Sequence, residues 1–222
     1  MTPNNLGSYL NNYGIDWIAV TDHNSTRNVR VFSSVLDTFG IKVIPGIEIQ
    51  TQEDIHILGY FPNCDWAEKM GEFVESKLPH IENNPEKYGY QLEVDENDNF
   101  ISVVKEPLNF PCSMTLEETI ERIQNHKGMP VYAHIDRSMG IIEQLGFIPS
   151  EFEDIPCEVY ILKNLDRMTV HIKNKTILSS SDAHNLDSIK KSKMIVECEC
   201  RNFDEFILAI ESKNGRRIKL CL

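Results

Sequence analysis

No part of this 222-residue chain comes near the roughly 20 consecutive apolar residues that a transmembrane helix needs. Its opening, MTPNNLGSYL, has neither the basic nor the apolar region of a signal peptide. A cytoplasmic address and no membrane partner are the expectations that follow. Basic residues are scarce as well: 22 Lys and Arg stand against 34 Asp and Glu, a formal net charge of −12. Sequence-independent binding to nucleic acid or to an anionic membrane uses broad basic surface, so nucleic acid is not expected as a non-specific partner. A small phosphorylated substrate stays open, because a local metal cluster overrides the global field. The six cysteines include no C-x-x-C pair. Cys198 and Cys200, in IVECEC, would share one face of a strand, and reduced thiols acting as small apolar residues are preferred over a thiolate metal site. Internal repeats and low-complexity segments are missing too.

What remains is an ordinary globular composition, 41% hydrophobic and 25% charged, long enough for one α/β domain over residues 1–222 with a sizeable core. Apolar, β-branched runs alternate with segments of helical period. TPNNLGSYLNNYG reads as a helix, with Thr2 to cap it, Pro3 in its first turn and Gly14 at its end. DWIAVTDH is a strand, VRVFSSVLDTFG a helix, and KVIPGIEIQT and DIHILGYF are strands joined by a short turn. DWAEKMGEFVESKLP is helical. Residues 83–113 form an irregular polar insertion with a small hairpin about DENDN. A helix with a Thr115/Glu118 capping box follows. Then come strand PVYAHID, a short helix at Ile141–Leu145, strands CEVYIL, TILSSSDAH and KMIVECE, helix FDEFILAIESK capped by Asn202, and a last strand in RRIKLCL. The alternation predicts a mainly parallel sheet, open or closed into a barrel.

The strands end in unusual residues. DWIAV runs into Asp22-His23-Asn24; PGIEI carries Glu48, DIHILGY His56, VYAHID His134 and Asp136, and LSSSDAHN Asp182 and His184. Four of the seven histidines thus lie at or near apolar strand ends, and in α/β folds C-terminal strand ends converge on the crevice where sites are built. Side chains alternate along a strand, so Asp182 and His184 point the same way, as do His134 and Asp136. If Gln52-Glu53-Asp54 makes a hairpin turn, His56 faces Gln50 and lies diagonal to Glu48, within about 7–8 Å. Imidazole with carboxylate and no thiolate suits Zn, Mn or Fe better than Ca or Mg, and Glu48 could bridge two ions, as in phosphoester hydrolysis. Taken singly, each residue has a plainer reading. A buried His is usually a hydrogen-bonded core residue, Glu48 could be a strand-edge acid, Asp182 a helix cap, and Asp22 a group that orients a neighbour. Taken together they fit a metal site. His80, His126 and His171 have no such setting.

In this order the motifs TDHN, PGIE, a nearby His, AHID and SDAH resemble the PHP (polymerase and histidinol phosphatase) family over nearly the whole chain. The resemblance implies a distorted (β/α)7 TIM-like barrel holding up to three divalent ions. It implies hydrolysis of a small phosphomonoester through metal-activated hydroxide. His23 and His184 would hold one ion, Glu48, His56 and His134 another, and Glu48 with Asp182 a third. Asp22 and Asp136 would support the ligands as part of the catalytic machinery. Arg137 would clamp the substrate phosphate, since guanidinium matches phosphate oxygens; read otherwise, it is an exposed loop arginine. The family's opening strand, ending in H-x-H, has no counterpart here. The expectation is therefore a barrel short of its first strand, with fewer ions and with a sheet edge open to self-association. Two other readings stand beside this one: a shortened, catalytically weak metal-binding module, and a metallohydrolase of C–N bonds. The second would need a carboxylated Lys on a strand, and no strand offers one.

Overall fold

The middle of the sheet is built from the two most apolar runs of the chain, KVIPGIEIQ and HILGY. In the computed structural model, which describes residues 1–172, 176–189 and 192–221, these are strands β2 (Lys42–Gln50) and β3 (His56–Tyr60). The others are β1 (Trp17–Val20), β4 (Leu92–Val94), β5 (Phe100–Val103), β6 (Met129–Tyr132), β7 (Cys157–Glu158), β8 (Ile177–Leu178), β9 (Met194–Glu197) and β10 (Arg217–Leu220). The helices are α1 (Pro3–Asn12), α2 (Val29–Thr38), α3 (Cys64–Glu75), α4 (Pro85–Tyr88), α5 (Leu116–Asn125), α6 (Ile141–Leu145), α7 (Leu165–Met168) and α8 (Phe203–Ile210).

Among the described residues the main sheet runs in the order β1-β2-β3-β6-β7-β8. All neighbours are parallel except β3, which is antiparallel to both β2 and β6. The sheet curls into a half-barrel, consistent with the distorted barrel that the sequence resemblance implies. β1 and β8 are its edges, and a cavity of about 1600 Å³ is lined by residues of both, Trp17, Ile18 and Val20 from one and Ser179 to His184 beyond the other. β9 and β10 form a separate antiparallel ribbon, as do β4 and β5 in the insertion, whose ends are tied where Asn83 N donates to Lys105 O.

The period-two alternation of β2 and β3 divides the interior. Ile47, Ile49 and Ile57 point outward to a core completed by Leu10 of α1, Phe32 and Leu36 of α2, Met70 of α3 and Ile120 of α5. Ile44, Leu58 and Tyr60 point to the concave face with Val131, Ala133 and Leu178, where Phe206 and Ile210 of α8 cover them. Glu48 and His56 share that concave parity, so the strand geometry that fills the core also aims them inward. Burying Leu, Ile or Phe side chains of this kind contributes about 1.5–3 kcal/mol each.

The hairpin and caps follow the sequence expectation: Gln50 pairs with His56, Thr115 accepts from Glu118 N at 3.1 Å and Asn202 from Glu205 N at 2.9 Å. Thr2 makes no side-chain cap. CEVYIL and TILSSSDAH shrink to the pairs β7 and β8 because the chain leaves the ladder early. Tyr160 N and Ile161 N donate to Asp136, not to a neighbouring strand. Among the described residues no helix is long and apolar enough to cross a membrane.

Candidate metal centre

The site forms where β1, β2, β6, β7 and β8 finish. β3 runs the other way, so its first residue, His56, reaches the same end. His23 lies just past β1, and its flanks are pinned to β2: Glu48 N donates to Asp22 O at 3.1 Å and Asn24 N donates to Glu48 O at 2.7 Å. Buried Asn24 donates from Nδ2 to Leu108 O and Phe110 O and accepts from Gln50 N, which ties this turn to the insertion. Asn24, His134 and Asp182 have φ of 50°, 24° and 46°. For non-glycine residues these are costly conformations, and they turn the chain sharply at the strand ends.

Glu48 is the hub. Its Oε1 lies 2.8 Å from His56 Nδ1 and 3.0 Å from His134 Nε2, and those two nitrogens are 3.1 Å apart. Its Oε2 lies 3.5 Å from His23 Nδ1. His23 Nε2 in turn faces His184 Nε2 at 3.2 Å. Glu48, His56 and His134 are buried, whereas His184 is exposed. Burial resists ionisation of Glu48, but hydrogen bonds from His134 and His56 and the charge of His23 outweigh it, holding the carboxyl well below its ordinary value. Burial also works against a charged His134, yet Glu48 raises it overall, while His23 is lowered, chiefly by desolvation.

These residues fit a divalent cation. Metal–ligand bonds of about 2.0–2.2 Å place neighbouring donors about 3 Å apart, and the Glu48/His56/His134 triangle has that size. If both rings donate to Glu48, His56 Nε2 and His134 Nδ1 are left as buried nitrogens, and neither has a hydrogen-bond partner among the described residues. A cation among the three donors would take the place of the ring protons that otherwise point at Glu48. His23, Glu48 and His56 also offer ligand atoms all within 4.8 Å of one another. The donor set is imidazole and carboxylate, with no thiolate.

The remaining expected residues are placed as follows. Asp182 takes the Arg137 guanidinium, Nη1 to Oδ2 at 2.5 Å, and its Oδ1 is 3.8 Å from His184 Nδ1. Asp136 is buried but faces away from the cluster: Oδ1 accepts from Tyr160 N at 2.8 Å, and Oδ2 from Ile161 N and Asn164 Nδ2, both at 2.9 Å. Asp22 lies on the cavity lining, joined to β2 by its backbone. One buried acid escaped the sequence reading. Glu158, at the end of β7, lines the same cavity, bonds Ser180, and is held above its ordinary value, first by burial. The signal was present, since an acid inside CEVYIL parallels the acid inside PGIEI.

No protein-family model and no curated protein sequence matches the chain. Solved structures do. The lesion-specific endonuclease PfuEndoQ of Pyrococcus furiosus superposes with a TM-score of 0.67 at 17% identity, over 98% of this chain and 53% of that one. Endonuclease Q in complex with a 27-mer duplex substrate bearing an abasic lesion at the active site gives 0.63 at 16%, over 98% and 53%. A proposed metal-dependent phosphoesterase of Bifidobacterium adolescentis gives 0.55 at 14%, over 95% and 90%. The chain therefore spans about half the length of the two endonuclease structures, and what is shared at these identities is the fold. The comparison corrects the partner expectation. A small phosphorylated substrate, with nucleic acid not expected as a non-specific partner, does not agree with a fold shared with an endonuclease solved with a 27-mer duplex substrate. Whole-chain charge does not exclude a polyanionic partner, because such a partner would meet the local field of a site.

Proposed function

We propose that the chain is a PHP-type, metal-dependent phosphodiesterase acting on nucleic acid, its sheet an open version of the distorted (β/α)7 barrel. The observation that carries this is the convergence of His23, Glu48, His56, His134 and His184 on one end of the concave face, with Asp182 beside them. Glu48, His56 and His134 would hold one ion; His23 and His184, with Glu48, would hold a second; Asp182 would supply a further carboxylate. Zn, Mn or Fe bound there supplies positive charge to phosphoryl oxygens and acidifies water. The chain's own residues do the rest. Glu48 fixes the spacing of three imidazoles. Arg137, half-exposed beside Asp182, presents its remaining N–H donors to a phosphate. Asp136 fixes the loop after β7, and Asp22 joins β1 to β2 behind His23.

The test is cleavage of end-labelled oligonucleotides, single-stranded, duplex, and duplex with an abasic position, by protein loaded with Mn²⁺ or Zn²⁺. Strand scission that disappears in Glu48→Gln is the expected result. Metal binding with no scission of any of the three would overturn the reading in favour of a metal-binding module.

A further inference from the structure

Most cations on this molecule with described contacts are matched by a carboxylate. Arg27 has Glu75 and Glu93, Arg30 has Asp65 and Glu68, Arg216 has Glu205 and Glu199, and Lys219 has Glu197. Lys193 differs. It is half-buried and lines the cavity that also holds His23, Glu48, His134, Asp182 and His184. Among the described residues its ammonium makes one hydrogen bond, to Tyr160 O at 2.6 Å, and no ion pair. It sits 4.1 Å from the centroid of the Tyr160 ring. The Arg137 guanidinium stacks on the same ring at 4.8 Å. Two cations therefore share one aromatic platform at the lip of the site.

The platform is held rigidly. Tyr160 N donates to Asp136, and Tyr160 O accepts from Lys193, so its backbone is fixed on both sides. Lys193 itself immediately precedes β9, and its carbonyl accepts from Cys221 N at 2.8 Å, just past β10. Partial burial disfavours its charged form, which keeps it below the ordinary lysine value despite nearby Glu158, Asp136 and Asp182. A half-buried ammonium with no direct ion pair among the described residues gains from a ligand that brings negative charge into contact. Stacking on an aromatic face adds attraction but neutralises nothing.

We propose that Lys193 and Arg137, set on the Tyr160 ring, form a two-cation clamp that receives the phosphodiester backbone of the substrate at the mouth of the Glu48 site. Arg137 offers a planar fork and Lys193 a point charge, so one phosphate is gripped in a fixed orientation while an adjoining one is attracted without a geometric demand. The clamp rests on the nucleic-acid reading for its substrate, though its chemistry is that of anion binding in general. Lys193 is a positioning residue for the reaction and lies outside the metal ligands.

The test uses the full chain, wild type, Lys193→Met and Lys193→Arg, with unchanged far-UV circular dichroism as the control for folding. Three quantities are read: the slope of log Kd against log salt for a labelled oligonucleotide, KM and kcat for its cleavage with Mn²⁺, and affinity for inorganic phosphate by calorimetry. Lys193→Met is expected to reduce the salt slope by about one, raise KM several-fold with kcat changed less, and weaken phosphate binding. Lys193→Arg should restore all three in large part. A structural role alone would not move the salt slope. Phosphate affinity and slope equal in wild type and Lys193→Met overturn the clamp while leaving cleavage, and so the proposed function, standing. Phosphate bound through Lys193 by a protein that neither binds nor cuts the oligonucleotides would keep the clamp and remove the nucleic-acid reading.

Discussion

Replacing Glu48 by Gln removes one charge and almost no volume, which makes it the sharpest probe of the centre. The carboxylate makes two short contacts, 2.8 Å to His56 and 3.0 Å to His134, and a longer one, 3.5 Å to His23. Contacts to a charged group are worth about 1.5–3 kcal/mol each. Losing two as metal-organising contacts weakens cation binding by about 3–6 kcal/mol, roughly 10²- to 10⁴-fold in affinity at 1.4 kcal/mol per decade. The amide still fills the space, so the metal-free variant should keep its circular dichroism spectrum and a cooperative melt. Calorimetric titration with Mn²⁺ or Zn²⁺, together with metal content after dialysis, reads the difference. Glu48→Asp, which keeps the charge one methylene short, should fall between. If Glu48→Gln retains its metal with affinity within about threefold of wild type, the hub role is wrong and the ions must be held by other donors.

Other outcomes follow from the same geometry. A Cβ at Gly140 would lie 2.6 Å from His134 O and 2.9 Å from Arg137 O, so Gly140→Ala should cost about 1–3 kcal/mol in urea unfolding and weaken metal binding through the displaced His134. Asp136→Ala strips the acceptor from Tyr160 N, Ile161 N and Asn164 Nδ2; a loss of about 2–4 kcal/mol is expected, and fluorescence of Tyr160 in a background lacking other changes should report a loosened loop. In metal-free protein His134 is raised by Glu48, so its stabilising contribution is complete below the ordinary histidine value and fades as pH climbs through the raised one. The stability gap between wild type and His134→Ala should therefore narrow as pH rises from the ordinary histidine value through the raised one; a widening gap would contradict the assigned direction. Chelation should lower the melting temperature of loaded protein, by the equivalent of about 2.7 kcal/mol when the free ion had stood at a hundred times its Kd.

The candidate site residues are legible in the sequence because an acid or imidazole in or at the end of an apolar strand breaks a pattern. His23, Glu48, His56 and His134 all do so, and the hairpin register that pairs Gln50 with His56 followed from the turn length alone. Glu158 breaks the pattern equally, inside CEVYIL, with no histidine beside it. Lys193 and Tyr160 left no trace, since their importance lies in a contact between residues 33 positions apart. The extents of β7 and β8 were overestimated because apolar, β-branched composition marks burial as readily as pairing. Asp136 illustrates the limit of parity arguments. It shares its alternation with His134, but His134 takes a positive φ, the strand geometry stops there, and the carboxylate swings to the loop beyond β7. Net charge bears weakly on the choice of substrate: 34 acids spread over a chain say little about the sign of one cleft.

The reversal of β3 has a consequence for the order in which the centre assembles. Glu48 and His56 are eight residues apart and are brought together by a hairpin, a local event on the microsecond scale. His134 joins Glu48 across 86 residues, and His184 meets His23 across 161. Loop closure over such distances comes late and slowly in folding. A nascent chain thus owns half a chelate long before it owns a pocket. A cation captured by that half would favour each later strand that adds a ligand, and metal supply during synthesis would then act on the yield of folded protein as well as on its chemistry.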